Sequence, residues 1–287
     1  GRVARIATHI RKQPGPAVAR RGYSSSDLFD ALEALSIERG SVVMMHSSLY
    51  HLGRMPDVAI RDMAAAVVDT LRYHLGPAGT LVVPAPNWDY GAKRLPFDIA
   101  STPVSRALGV VSAHINALPN RRRSANPIFS VAAIGARAAS ICDGYTTNAF
   151  GQNSAWQRMV DLDADMLCLG SDFEYLTFIR YMESRFGVPY LYNKYFDVPV
   201  LDNGVPIATP VIAPLRYAHL PIKYAPARFT QRCRDAGVLR EVEIGDGKAM
   251  AIRMQPCFEL GMAALTEDIH AFLAAAPSYD AAEVPRA

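Results

Sequence analysis

Several features that would mark a membrane, metal-binding or secreted protein are missing from this 287-residue sequence. It contains no apolar run near the roughly 20 residues that a helix needs to cross a membrane. Its four cysteines are far apart, without a C-x-x-C pair, and its histidines show no metal-ligand spacing such as H-E-x-x-H. We therefore predict no membrane association, no metal, and a reducing, cytoplasmic environment for free thiols.

Acidic residues are absent from residues 1–22, which contain six arginines and lysines. Because the whole chain has a net charge of only +3, the remainder is slightly acidic and gives no indication of nucleic-acid binding. We predict a basic N-terminal tail at residues 1–22, and we favour a flexible or partner-docking arm over a targeting segment. A single domain is predicted to follow at residues 23–287.

Apolar runs of strand length alternate with amphipathic helical patterns in the first part of the chain. Val42–Met45 and Thr80–Pro84 are predicted to be buried strands, with helical patterns before and between them. Such alternation is typical of α/β folds. In the C-terminal half, hairpin patterns surround the turns at Asn203-Gly204 and Asp246-Gly247. We predict a central mixed sheet flanked by helices, with an antiparallel extension in the C-terminal half.

The stretch 171–192 combines a strand end with a charged helix. Its pattern places Arg180 and Glu183 one turn apart on a shared face. Asp172 and Glu174 lie near the helix start, where the helix dipole favours carboxylates. Two interpretations stay open: a solvated ion pair, or chemistry at the edge of the sheet where ligands bind in α/β folds.

Two other loops have residues suited to binding an anionic ligand. The H-S-S-L string at 46–49 directly follows a predicted strand. The basic run at 121–124 ends in a serine, and guanidinium groups pair with phosphates through two donors. A solvated loop is the alternative interpretation of this run. A hydrolase with Ser47 or Ser48 as nucleophile is less favoured, because the chain has no G-x-S-x-G elbow.

In order and spacing, these segments resemble the aminoglycoside 3-N-acetyltransferase family. The resemblance rests on H-S-S-L at 46–49 and on G-P-A-G-T-L-V-V-P at 76–84. It continues with R-S-A-N-P at 123–127, and with Thr177 and Glu183 of the charged helix. It extends over roughly residues 24–272.

The resemblance implies an α/β enzyme that transfers an acetyl group from acetyl-CoA to an amine, with no metal and no covalent enzyme intermediate. It implies a CoA site at the loop after the first strand and at the Arg123 segment. The residues assigned to that site are Ser47, Ser48, Leu49, Arg123, Ser124, Asn126 and Ser130. It also implies an acidic pocket for a small-molecule amine acceptor, with the candidates Asp89, Asp98, Asp172 and Glu174.

The chain departs from the family pattern at two positions. Asn126 replaces a histidine that precedes the proline of the R-S-A-N-P string. Arg180 replaces the catalytic histidine, three residues before the helix glutamate. Acetyl transfer needs a base that removes a proton from the attacking amine, and arginine stays protonated.

Three explanations of Arg180 stay open. Another group, His46 or Glu183, takes the proton. Alternatively, the acceptor is a neutral, weakly basic amine, and Arg180 stabilises the thioester oxyanion or binds an anionic substrate. Or the chain is a silent relative that binds CoA or an amino sugar, or it uses a carrier-protein donor. We favour the second, which predicts an acidic or phosphorylated acceptor and poor turnover of kanamycin-type substrates. The catalytic candidates are thus Arg180, Glu183 and His46, and a homodimer is a possible assembly.

Overall fold

A computed structural model describes residues 21–173, 177–207 and 210–278 of the chain. The predicted basic tail, residues 1–22, lies outside the described residues except for its last two. The strands within these ranges are β1 (Val42–Ser47), β2 (Thr80–Pro84), β3 (Phe97–Asp98), β4 (Arg122–Arg123), β5 (Val131–Gly135), β6 (Asp165–Leu169), β7 (Leu191–Phe196), β8 (Val200–Asp202), β9 (Val205–Ile207), β10 (Val211–Arg216), β11 (Arg240–Ile244) and β12 (Gly247–Arg253). The helices are α1 (Ser25–Ala34), α2 (Leu49–Leu52), α3 (Met63–Leu75), α4 (Asp89–Lys93), α5 (Gly109–Ala117), α6 (Ala138–Cys142), α7 (Ala155–Asp161), α8 (Thr177–Phe186), α9 (Ala227–Asp235) and α10 (Met254–Glu267).

The main sheet is mixed and has the strand order β11-β12-β6-β1-β2-β5-β4. At its centre, β1 lies parallel to both β2 and β6, whereas β5 and β12 pair antiparallel with β2 and β6. The strands β2 and β6 are buried along their whole length, as is most of β1, because helices cover both faces. The predicted central mixed sheet flanked by helices is confirmed.

Alternate residues of β1 belong to two separate hydrophobic cores. Val42 and Met44 pack with residues of α6 to α10, whereas Val43 and Met45 pack with residues of α1, α3 and α5. This follows from the two-residue period of a strand, which sends successive side chains to opposite faces. The sheet therefore separates two helical layers, and the loops that follow β1 and β6 lie between them.

The antiparallel extension consists of the β7–β10 pair and the β8–β9 hairpin, to which β3 adds in parallel. The second predicted hairpin, β11–β12, also forms. It lies in the central sheet and not in the extension, because β12 pairs with β6 and its stretch 249–252 is buried on both faces. The extension is thus confirmed, with one hairpin placed differently from the expectation.

Helix α8 ends at a glycine that turns the chain back over it. Gly187 has a φ of +86°, a conformation that glycine adopts at little cost. Its amide and that of Val188 both donate to the Glu183 carbonyl, closing the last turn. The chain then enters β7 within four residues, so Tyr190 lies against the helix it has just left.

Within the described ranges, no helix is long and apolar enough to cross a membrane. No group of three or more histidine, cysteine or acidic residues in those ranges is arranged to hold a metal ion. Cys142, Cys168, Cys233 and Cys257 are buried free thiols.

Candidate active site

A cavity of about 720 Å³ opens where β1 ends. The loop residues His46, Ser47, Ser48 and Leu49 line it, and so does Asp172 from the loop after β6. Parts of α2, α3 and α5 form the other walls. The two loops meet because β1 and β6 are adjacent parallel strands, and the carboxyl ends of such strands share one edge of the sheet.

Hydrogen bonds fix the two loops to each other. Ser48 donates its amide to the Leu169 carbonyl at 2.9 Å, and Ser171 Oγ donates to the His46 carbonyl at 3.2 Å. His46 Nε2 is buried and has no hydrogen-bond partner among the described residues. Burial lowers the pKa of His46 to about 4, so its imidazole is neutral at pH 7. A neutral ring with an unpaired nitrogen is suited to a hydrogen bond with a ligand in the cavity.

Arg180 and Glu183 form a buried cluster on α8, not a solvated ion pair. Glu183 is 0% exposed, and three side chains donate to its carboxylate. Tyr190 Oη reaches Oε1 at 2.8 Å, Tyr224 Oη reaches Oε2 at 2.8 Å, and Arg180 Nη1 reaches Oε2 at 3.3 Å. Arg180 Nη1 also donates to the Tyr224 hydroxyl, and its guanidinium lies 4.0 Å from the centre of the Tyr224 ring.

This environment changes the acid–base properties of the pair. Burial raises the pKa of Glu183 to about 7, although Arg180 and the Tyr190 hydroxyl oppose the shift. Burial also lowers the pKa of Arg180 to about 10, so the arginine remains protonated at neutral pH. A carboxyl group with a pKa near 7 can accept and release a proton under physiological conditions, as a general base must.

Tyr190 and Tyr224 were missed by the sequence reasoning. Tyr190 lies beyond the end of α8, and Tyr224 comes from the segment between β10 and α9. Tyr190 is seven residues from Glu183 but lies beyond the glycine that ends the helix, and Tyr224 is 41 residues away, so helical periodicity predicts neither contact. The only available indication was general: a buried carboxylate needs hydrogen-bond donors, and tyrosine hydroxyls can supply them.

Arg123 is occupied by the protein itself. It is 4% exposed, and its guanidinium donates to the carbonyls of Thr102 and Ala85. It also lies over the Phe97 ring, 4.4 Å from its centre. Burial lowers the pKa of Arg123 to about 9. These contacts connect β4 to the loop after β2, to β3 and to the loop after β3.

The neighbouring assigned residues also bond within the chain. Ser124 Oγ accepts the Val131 amide at 3.0 Å, and Ser130 Oγ donates to the Ser124 carbonyl at 2.8 Å. Asn126 Oδ1 accepts the amides of the two residues that follow Pro127. The described lining of the cavity at His46 includes none of Arg123, Ser124, Asn126 and Ser130.

The four acidic candidates are dispersed. Asp172 alone lines the cavity, whereas Asp89 forms an exposed ion pair with Lys93 on α4. Asp98 accepts the amides of Ala100 and Gly204 at 2.8 Å each. Partial burial alone would raise the pKa of Asp98, but these backbone hydrogen bonds outweigh it and the pKa lies below its usual value. Glu174 lies outside the described residues.

Comparison with known proteins shows which family this chain belongs to. A family model for aminoglycoside 3-N-acetyltransferases matches residues 44–266, most of the chain. The chain belongs to the aminoglycoside 3-N-acetyltransferase family. Aminoglycoside N(3)-acetyltransferase IV of Salmonella sp is 34% identical over 169 residues, which are 58% of this chain and 61% of that protein. Aminoglycoside N(3)-acetyltransferase III of Serratia marcescens is 29% identical over 187 residues, 59% of this chain and 67% of that protein. The chain thus spans about three fifths of the length of the first relative.

Solved structures of the family have the same fold. The apoenzyme of aminoglycoside acetyltransferase AAC(3)-IVa is 25% identical, with a TM-score of 0.71 over 89% of this chain and 93% of that chain. A histidine-to-alanine variant of AAC(3)-IVa in complex with a gentamicin is 26% identical, with a TM-score of 0.72 over 89% and 93% of the two chains. The binary complex of AAC-IIIb with CoASH is 21% identical, with a TM-score of 0.72 over 88% and 99%. These neighbours confirm the predicted family and fold class.

Proposed function

We propose that this protein is an acyl-CoA-dependent N-acyltransferase that moves an acetyl group from acetyl-CoA to an amine of an amino sugar or a related small molecule. The observation that supports transfer by this chain is the Glu183 cluster. It contains a buried carboxyl group with a pKa of about 7, next to a protonated arginine. The family histidine is replaced, but a group able to accept a proton remains.

The donor is proposed to occupy the cavity at the end of β1. Ser47, Ser48 and Leu49 line it, and so does His46, whose Nε2 has no hydrogen-bond partner among the described residues. A relative of the same fold was solved with CoASH, which supports CoA as the donor. The side chains of the 123–130 segment bond within the chain and do not line this cavity, so we do not assign that segment to the donor site.

The proton is proposed to leave through Tyr224. Glu183 is fully buried and cannot meet an acceptor directly, whereas Tyr224 is partly exposed and donates to it. The amine nitrogen attacks the thioester carbon, Tyr224 Oη takes the amine proton, and the tyrosine passes its own proton to Glu183 Oε2. The C–S bond then breaks, the amide is released, and the CoA thiolate takes a proton from the Tyr224 hydroxyl, which Glu183 reprotonates through Oε2.

For the acceptor, Asp172 is the acidic candidate with the best support, because it alone lines the cavity, and Asp89 and Asp98 are secondary candidates. The solved complex of AAC(3)-IVa with a gentamicin supports an amino-sugar type of acceptor. We also propose a cytoplasmic location, since four buried free thiols suit a reducing environment. A homodimer remains a proposal.

The test is calorimetric titration with acetyl-CoA, combined with mass spectrometry of the products formed with glucosamine. We expect micromolar binding that falls at least tenfold in Ser48→Trp, which fills the cavity, and is unchanged in Ser26→Trp, a matched change on an exposed face of α1. Absence of acetyl-CoA binding to the unmodified protein would contradict the proposal. It would then favour a silent relative or a carrier-protein donor.

A further inference from the structure

Two arginines approach one tyrosine ring beside the buried carboxylate. Arg180 lies 4.0 Å from the centre of the Tyr224 ring, and the Arg216 guanidinium lies 5.5 Å from it. Arg216 ends β10 and pairs with Leu191 at the start of β7. The two guanidiniums come from separate elements, α8 and β10, so tertiary structure alone brings them together.

The charges of this cluster do not balance. The charge of the Glu183 carboxylate interacts with both arginines, but its pKa of about 7 leaves it partly protonated at neutral pH. After burial and the opposing effect of Glu183, the charge of Arg216 further lowers the pKa of Arg180, which is the effect of a nearby like charge. The cluster therefore has a net positive charge.

Acidic residues are also missing from the surrounding sequence. Neither the stretch 188–196 nor the stretch 210–228 contains an aspartate or glutamate, although Lys194 and Lys223 add positive charge. The hydrogen bond that Arg216 makes within the described chain goes to the Ile222 carbonyl at 3.3 Å. A carbonyl accepts a hydrogen bond but does not neutralise a guanidinium.

The positive side of the cluster is the side that a ligand can reach. Arg180 is 21% exposed, and Tyr224 and Arg216 are also partly exposed, whereas Glu183 lies behind them at 0%. Like charges that are partly withdrawn from water repel each other unless an anion lies between them. Guanidinium groups bind phosphate and carboxylate through paired, charge-assisted hydrogen bonds.

We infer that Arg216, with Arg180 beside it, binds an oxyanion of the acceptor, so that the substrate is an amine that also bears a phosphate or a carboxylate. This inference rests on the proposed function, because it assigns the acceptor class of the same site. A polycationic aminoglycoside would meet net positive charge here and bind poorly.

The experiment is calorimetric titration of the protein in the presence of CoA with three matched amino sugars: glucosamine, glucosamine 6-phosphate and 2-amino-2-deoxyglucuronic acid. We expect at least one anionic sugar to bind tenfold or more tightly than glucosamine, and the tighter of the two identifies the oxyanion. Arg216→Gln should abolish this preference. Arg228→Gln, which removes an exposed arginine of α9, should retain it.

Equal binding of the three sugars, or tighter binding of gentamicin than of any of them, would overturn the inference. So would a preference for the anionic sugars that persists in Arg216→Gln. A separate titration with acetyl-CoA distinguishes failure of the inferred acceptor class from failure of the proposed function. Acetyl-CoA binding without a preference for anionic sugars removes only the acceptor class, whereas failure to bind acetyl-CoA removes the proposed function.

Discussion

Arg123 and Arg180 are both largely buried, but their partners differ in kind. The guanidinium of Arg123 binds two backbone carbonyls and lies over Phe97. Arg180 contacts a carboxylate and a tyrosine that are themselves bonded to each other, and a second arginine is close by. The first arginine connects loops, whereas the second belongs to a buried cluster with a carboxylate and two tyrosines.

The comparison shows that the type of residue does not determine its role. A basic run at 121–124 suggested phosphate binding from composition, and a single arginine on a helix suggested a solvated ion pair. The partners of the two guanidiniums differ in kind: Arg123 donates to two backbone carbonyls and its buried Nε has no partner among the described residues, whereas Arg180 donates to a carboxylate and a tyrosine. Four predictions test this difference.

The largest effect is expected for Glu183→Gln. Glutamine keeps the shape of the side chain and one acceptor oxygen but cannot take up a proton, so acetyl transfer should fall by about 10²- to 10⁴-fold. In the unmodified protein the rate should rise with pH through about 7, as Glu183 ionises, and this rise should be absent in the variant. Pre-steady-state thiol release at a series of pH values measures both. An unchanged profile in Glu183→Gln would exclude this residue as the base.

The two tyrosines on Glu183 form a matched pair for the next prediction. Each hydroxyl donates to the carboxylate at 2.8 Å, but Tyr224 is partly exposed and Tyr190 is fully buried. Tyr224→Phe should lower kcat by about 10- to 100-fold, because the proton route is cut, with little change in the KM for acetyl-CoA. Tyr190→Phe should cost stability of about 1–2 kcal/mol and a smaller part of kcat. Equal losses of kcat in both variants would argue against a proton route through Tyr224.

For the free energy of unfolding the order of the two arginine sites should be reversed: the loss of Arg123 should destabilise the fold more than the loss of Arg216. Arg123→Ala leaves two buried carbonyls without their donors, and the free energy of unfolding should fall by about 2–4 kcal/mol. Arg216→Gln removes one of two like charges, and we expect a change of about 0.5 kcal/mol or less. Urea denaturation followed by circular dichroism gives both values. If Arg216→Gln proved the more destabilising change, Arg216 would be a structural residue.

The smallest effect concerns His46. Burial lowers its pKa from 6.5 to about 4 in the folded protein, so the stability it contributes is present above pH 6.5 and is lost as the pH falls toward 4. His46→Gln should therefore reduce the loss of stability between pH 6.5 and 4. Melting temperatures of both proteins across this range test it. The control is His51→Gln, at an exposed histidine of α2 whose ring hydrogen-bonds the Gly170 carbonyl. Parallel curves for His46→Gln and the unmodified protein would show that His46 is not buried in solution.

The hydrophobic periodicity of short segments predicted the individual strands and helices of the fold. The buried runs at 42–45 and 80–84 became parallel neighbours in the sheet, and the helix bearing Arg180 and Glu183 formed between a strand and a glycine. The cavity at His46 could also be anticipated, because ligand sites follow the carboxyl ends of parallel strands. Each of these follows from periodicity over fewer than about 20 residues.

The remaining features depend on tertiary contacts that no short pattern describes. The approach of Tyr224 and Arg216 to Glu183 requires β10 to pair with β7 in one register. The two hydrogen bonds of Arg123 depend on carbonyls of two other loops. For the same reason, the placement of β12 beside β6 was not evident from its hairpin pattern.

The central claim is that this protein transfers acetyl groups with an arginine where its family has a histidine. The most direct test measures acetyl transfer from acetyl-CoA by the unmodified protein and by Arg180→His, with glucosamine 6-phosphate and gentamicin as acceptors. Our account predicts transfer to glucosamine 6-phosphate by the unmodified protein, poor transfer to gentamicin, and loss of the native reaction in Arg180→His. An inactive unmodified protein in which Arg180→His restores gentamicin acetylation would contradict it and identify a silent relative.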